Sequence, residues 1–515
     1  MLNKIKEKLK IDGKWESIFI VMVVTIIVAC NFLYFSYKIN TGDFFNYKNE
    51  TGIISKDITA IKVTYIVLST LSIYVILMAF IIIKEIKTKN IKVEKVFLAL
   101  ASTFAILFIV AMPITTGHDE SIHALRVYEY TEGKFINNGK EYYLEKGAFL
   151  ATNYKRTYSE ILNNIDQYTT NTNKIKVRYR VSTYSPVNYL PEIMGILTAK
   201  MFTKNVIVHL YTARVFSSII CIALLYFAIK KIPFGKNLLF LLCIIPTTIE
   251  GIATISADGL LFSASMFFIS YILYLTYNKE KINKKDIAIL AIFSVIIALS
   301  KTVYITLILF IFIIPKEKWK NIKQKNIICF AIFIVSLILD FLWYKFGIQK
   351  EEISNIGNDA ITYIINSPIG YIQKIIYTIV LLFEKYLTEI FGATIEINEV
   401  IKISIFPYIL FIMSIIVSIK GKNKTEFKLY QKIIMIFIVV ACMGVIFSAL
   451  FIEWSRPNLE YIEGIQGRYF LPILPIIYMI FCNKFCDERK YTYTIAVIGL
   501  LMQMCVTMEL LLYHI

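Results

Sequence analysis

Apolar runs of about 20 residues recur along this chain, separated by short lysine clusters, and that alternation leaves few folds open. A run of that length, wound as an α-helix, matches the hydrocarbon thickness of a bilayer. Inside that core each segment has to satisfy its own backbone hydrogen bonds, which selects helices. With 57% hydrophobic residues and a mean hydropathy of +0.63, the reading is an all-α polytopic membrane protein. The formal charge of +18 does not point to nucleic acid. Its lysines lie between apolar runs, as they do in cytoplasmic loops, and no nucleic-acid partner is expected.

The positive-inside rule places the clusters at 4–14, 84–95, 230–236, 279–285, 316–325, 420–432 and 484–490 in the cytoplasm. Spans at 18–37, 61–83 and 96–114 then put residues 115–205 outside, as a large external loop carrying short helices. About 13 transmembrane helices are expected, with the N-terminus in and the C-terminus out. Residues 1–94 form a cytoplasmic tail and two extra spans, 95–484 the membrane core, and 485–515 a last span. Three stretches resist simple assignment. Residues 187–203 are peripheral or re-entrant, and 371–393 lie along the outer interface. Residues 287–314 divide into two half-spans with Lys301 at the outer surface. The eight cysteines fall in or beside spans and indicate neither disulfides nor a metal site.

Of the eight arginines, Arg126, Arg156, Arg178, Arg180, Arg456 and Arg468 fall in expected outer segments. That placement opposes the topogenic preference, and anion binding is one reason for it, because a guanidinium fits phosphate oxygens as a bidentate fork. Pairing with outer carboxylates or lipid phosphate is the plainer one. The densest group is His118-Asp119-Glu120-Ser121-Ile122-His123-Ala124-Leu125-Arg126, directly after an apolar run. On a helix, Asp119, His123 and Arg126 stand at i, i+4 and i+7 with Glu120 beside them. A carboxylate base would meet cations able to stabilise a phosphate leaving group. A capped, salt-bridged helix start explains the same residues without chemistry.

His118, Glu120 and His123 do not make a zinc protease motif, since the histidines stand at i and i+5 instead of i and i+4, and a third ligand is lacking. The residues specify no particular cofactor; a Mg or Mn ion held by Asp119 and Glu120 stays open, two carboxylates being a weak specification. Other polar groups punctuate expected outer junctions: Tyr189 between Pro186 and Pro191, Glu250, Asp258, Lys301 with Tyr304, and Gln466-Gly467-Arg468-Tyr469.

Taken in order, His118-Asp119-Glu120-x-x-His123-x-x-Arg126, Ser185-Pro186-x-x-Tyr189-x-Pro191, Ala257-Asp258, Lys301-x-x-Tyr304 and Gln466-Gly467-Arg468-Tyr469-x-x-Pro472 resemble the bacterial multi-pass membrane family known as domain of unknown function 2142, over about residues 95–480. His118 departs from that pattern, which usually has proline there. The family is in turn similar to the GT-C superfamily of integral membrane glycosyltransferases. This resemblance implies a polyprenyl-phosphate sugar donor, a surface glycan, polymer or lipid acceptor, and inversion at the external face of the bacterial cytoplasmic membrane. It makes Asp119 the base and Glu120 its partner, with Lys301, Arg468 and Arg126 on the donor phosphate. His118, His123, Tyr189, Asp258, Tyr304, Gln466 and Tyr469 would bind or support substrate. The competing expectations are a transporter or flippase for a lipid-linked saccharide, or a non-catalytic scaffold.

Overall fold

The computed structural model describes residues 92–135, 142–152, 161, 164–169, 173–177, 184–347, 355–392, 394–396, 399–400, 405–422 and 425–514. The first two expected spans, and Arg156, Arg178 and Arg180, lie outside them. The described residues are mostly helical, with two small antiparallel strand pairs, Tyr142–Glu145 against Lys174–Val177 and Thr394–Glu396 against Glu399–Val400.

Five helices are long and apolar enough to cross a bilayer: Val93–Ala111, Val206–Lys231, Ala257–Tyr277, Ile322–Gly347 and Leu429–Glu453. Two bent pairs raise the number to at most seven. Lys236–Ile244 and Pro246–Ala253 meet at 61°, where Pro246 lacks the N–H that would continue the first helix; Gly357–Asn366 and Pro368–Leu381 meet at 112°. Residues 236–253 therefore form a broken element, and 371–393 divides between the helices Pro368–Leu381 and Phe383–Phe391. Ala257–Tyr277 forms the centre, 89% buried over its most apolar window, whereas Ile322–Gly347 (22%) and Leu429–Glu453 (28%) form the rim. Their outward faces are apolar, with Ile327, Phe330, Ile433 and Phe437 exposed as on a lipid-facing surface.

The stretch 287–314 does break at Lys301. The helix Lys284–Ser300 ends there in extended backbone, and the chain returns as a 3-10 helix over Thr302–Ile313. At about 1.5 and 2.0 Å per residue, 17 α-helical and 12 3-10 residues both cover roughly 25 Å, so the tighter winding lets a short return arm match its partner.

The lysine-rich turns gather at one end. Ile282 N–H donates to the Lys318 carbonyl (2.9 Å), Gly421 N–H to that of Lys484 (2.7 Å) and Asn237 Nδ2 to that of Cys486 (3.0 Å). The Phe234 ring packs there against Tyr277, Phe427 and Phe485. The opposite end carries the turn after Ala111, the start of Ala257–Tyr277, the Lys301 break and Arg468. Residues 115–205 add the short helices Glu120–Thr131, Lys146–Thr152 and Leu190–Lys200 on that side.

Candidate functional site

The turn from Met112 to Asp119 is fixed by a buried ion pair that sequence reading missed. Arg214, on the helix Val206–Lys231, donates from Nε and Nη2 to the two Glu120 oxygens (2.7 and 2.5 Å). It also donates to the carbonyls of Met112 (2.5 Å) and Pro113 (2.9 Å). Glu120 accepts further from the N–H groups of Gly117 (3.0 Å) and Ile255 (2.9 Å). Both side chains are fully enclosed. With the fifth N–H directed at the Ile109 carbonyl (3.4 Å), every donor direction is used, and this pair locks three segments together. A charge within an apolar run requires a buried partner, and that was the available signal for Arg214.

Upon this platform the backbone turns sharply. Thr115 (φ 70°) and Asp119 (φ 54°) both adopt left-handed conformations, costing about 1–3 kcal/mol each for residues with a Cβ. Asp119 precedes the helix Glu120–Thr131 and points its carboxylate away from the Glu120–Arg214 pair, toward Arg468: Arg468 Nη2 donates to Asp119 Oδ2 at 3.1 Å. The same guanidinium lies 3.4 Å from Asp258 Oδ2 through Nη1, and Lys301 Nζ hydrogen-bonds the other Asp258 oxygen. Four charges thus alternate in sign, Asp119, Arg468, Asp258 and Lys301, each from a different segment. Asp119 is the most open, its side chain 36% exposed against 22% for Asp258, 13% for Arg468 and 10% for Lys301.

Aromatic rings enclose the cations. Lys301 Nζ stands 5.2 Å from the ring centres of both Tyr184 and Tyr469. Tyr304 donates its hydroxyl to the Tyr469 carbonyl (2.8 Å), fixing the strand of chain that carries Arg468. Gly467 donates its N–H to Glu389 Oε2 (2.5 Å), and a Cβ there would meet the Tyr386 carbonyl at 2.4 Å. Glycine is thus required for Arg468 to project from this close contact. Gln466 caps the same turn and accepts at its carbonyl from Tyr469 N–H (3.1 Å).

His123 shares a 2.6 Å hydrogen bond with the Tyr189 hydroxyl, and its ring lies 5.6 Å from that of Tyr184. The loop bearing these tyrosines is tied down by Ser185 Oγ, donating to the Leu299 carbonyl (2.8 Å), and by Asn188 Nδ2, donating to that of Ala257 (2.8 Å). Burial pulls the His123 imidazole down to about 4 despite the neighbouring Asp119 and Asp258, so it is neutral at physiological pH. Burial pushes the Asp119 carboxyl up, but Arg468, His118 and His123 outweigh it and hold Asp119 below its ordinary value. It is a carboxylate at neutral pH.

A cleft opens beside the network. Its lining includes the polar residues His118, Glu250, Asp258 and Arg468 and the apolar residues Leu261, Phe262, Leu471 and Pro472. The tight approach of Gly259 to the Gly251 carbonyl shapes its side, where a Cβ would sit 2.4 Å from that oxygen.

Two expectations about the site are corrected. Arg126 does not join Asp119 and His123, because Asp119 lies outside the helix in left-handed backbone and the i, i+7 geometry does not extend to it. Arg126 instead donates to Glu129 (2.9 Å) and lies 4.3 Å over the Tyr130 ring, 2% exposed. Glu120 is also turned away, held by Arg214. Asp119 and Glu120 therefore diverge and do not form an ion-holding pair, and among the described residues no group of three or more His, Cys, Asp or Glu side chains is placed to hold a metal. Arg468 supplies the guanidinium expected of Arg126.

The chain belongs to the family described as predicted membrane protein (DUF2142), whose pattern matches residues 102–477. That range nearly coincides with the 95–480 marked by the motifs. No curated protein and no solved structure matches it.

Proposed function

We propose that this member of the predicted membrane protein (DUF2142) family is an inverting glycosyltransferase of GT-C type, taking a sugar from a polyprenyl-phosphate donor to a surface glycan, polymer or lipid. The observation that carries this reading is the alternating network. An accessible carboxylate stands against two partly enclosed cations beside a cleft that Asp258 and Arg468 line, at the end of the molecule away from the lysine-rich turns. By the positive-inside rule that end faces outward, where lipid-linked sugars are available and soluble nucleotide sugars are not. The shorter apolar elements Thr302–Ile313, Phe406–Ile419 and Gly467–Phe481, with the expected N-terminal spans, are compatible with a count near thirteen.

Two cations this close are held together by Asp258, which touches both. An arriving phosphate takes Arg468 and Lys301, and the contact it displaces is the more exposed one, to Asp119. Once Arg468 turns to the phosphate, Asp119 loses its main cationic partner and becomes more basic when it is needed. It then accepts the proton of the acceptor hydroxyl. The acceptor oxygen forms its bond to the anomeric carbon as the bond from that carbon to the phosphate oxygen breaks. The departing phosphate keeps the electron pair, and Arg468 and Lys301 balance its added negative charge in a low-dielectric setting. Neutral His123, held by Tyr189, donates its backbone N–H to the Asp119 carbonyl (3.1 Å) and so steadies the turn that carries the carboxylate.

A reconstituted transfer assay with polyprenyl-phosphate sugars tests this. Asp119→Ala is expected to abolish transfer, and unaltered transfer would end the proposal.

A further inference from the structure

One buried carboxyl at the cleft is not used by the mechanism above. Glu250, on the short helix Pro246–Ala253, is 6% exposed and lines the cleft beside His118, Asp258 and Arg468. One of its oxygens accepts the His118 backbone N–H; the other, Oε1, is buried and has no hydrogen-bond partner. An enclosed carboxyl oxygen left without a donor is costly, and a ligand hydroxyl would remove that cost. The neighbouring hydroxyls do not supply one. Thr247 donates to the carbonyls of Glu389 and Gly392, Thr248 to that of Leu242, and Thr254 to that of Glu250 itself.

One turn further along the same two segments the lining is apolar, Leu261 and Phe262 after Asp258 and Leu471 and Pro472 after Arg468. A cleft that offers hydrogen-bonding groups next to apolar side chains suits a pyranose ring, which carries hydroxyls at its rim and C–H groups on its faces. We propose that this cleft is the sugar subsite of the lipid-linked donor and that Glu250 accepts a hydrogen bond from a ring hydroxyl there, fixing the sugar while Arg468 and Lys301 hold its phosphate. The assignment rests on the donor reading given under Proposed function. It makes Glu250 a determinant of which sugar is bound, separate from the phosphate contacts.

The test compares citronellyl phosphate with citronellyl phosphates bearing glucose, galactose, mannose or N-acetylglucosamine, as ligands of the full-length protein in nanodiscs followed by native mass spectrometry. The wild type should bind at least one glycosylated form more tightly than the bare phosphate. Glu250→Gln and Glu250→Ala should lower that preference by about 10-fold to 100-fold while leaving the bare phosphate within about 2-fold, which also reports an intact site. Arg468→Ala should lose both ligands. A preference unchanged in both Glu250 variants overturns the inference, as does proportionate loss of both ligands, which would make Glu250 a support of the whole site. Equal wild-type binding of bare and glycosylated lipids removes the sugar subsite but leaves the phosphate site standing. Binding of neither lipid by the wild type overturns the donor reading and this inference with it.

Discussion

Arg468 and Asp119, 349 positions apart in the chain, are joined by a 3.1 Å hydrogen bond from Nη2 to Oδ2, while the other Nη of the same guanidinium faces Asp258. That fork explains why arginine stands here. A lysine ammonium is a point charge and cannot address two carboxylates along fixed parallel directions. Arg468→Lys is expected to reduce transfer by about 10-fold to 100-fold and Arg468→Ala to abolish it, both with little change in folding, as read from a reconstituted transfer assay beside a thermal melt. Full activity in Arg468→Lys would mean that charge alone suffices.

Glu120 and Arg214 should behave differently from Asp119, although Glu120 is its immediate neighbour. Removing either partner leaves an unpaired charge in a sealed site, and the expected loss is about 3–5 kcal/mol of stability. Glu120→Ala and Arg214→Ala should therefore melt early in detergent and accumulate poorly in the membrane. A variant that stays as stable as the wild type but loses transfer would restore Glu120 to a chemical role.

Arg126 provides the control for the phosphate reading. Its guanidinium is committed to Glu129 and the Tyr130 ring, so Arg126→Met should leave lipid-phosphate binding within about 2-fold while weakening the packing of the outer loop. Loss of phosphate binding without loss of stability would contradict the placement of Arg126.

The pH dependence follows from His123 and Asp119. The folded protein disfavours charged His123, so the unfolded chain takes up that proton first; the stabilising contribution is complete above about 6.5 and falls as the pH drops toward about 4. Asp119, lowered in the folded state, contributes above its ordinary 3.8 and loses that contribution below it. Thermal stability should thus decline in acid first through the His123 window and then through that of Asp119. His123→Phe should flatten the first part of the decline, and an unchanged profile would show that His123 is not the titrating group.

Much of the layout was legible in the residues, and the exceptions have physical causes. Lys301 in the middle of an apolar stretch marked the break between two arms, although periodicity gave no hint that the second would wind as a 3-10 helix. The motifs around Asp119, Asp258, Lys301 and Arg468 were each weak alone, yet the fold brings all four side chains into one network. Arg126 was misplaced because helical spacing was extended across a residue in left-handed backbone. Glu120 serves the fold instead because Arg214, a charge inside the apolar helix Val206–Lys231, has to find a buried carboxylate.

The most direct measurement is comparative mass spectrometry of surface glycans and polyprenyl-phosphate sugars in cells carrying the wild-type protein, Asp119→Asn, or neither. The account predicts that one sugar disappears from a surface polymer in both altered strains while its lipid-linked donor accumulates. If deletion changes the glycan and Asp119→Asn does not, the carboxylate is not the base, and transport or scaffolding becomes the better description.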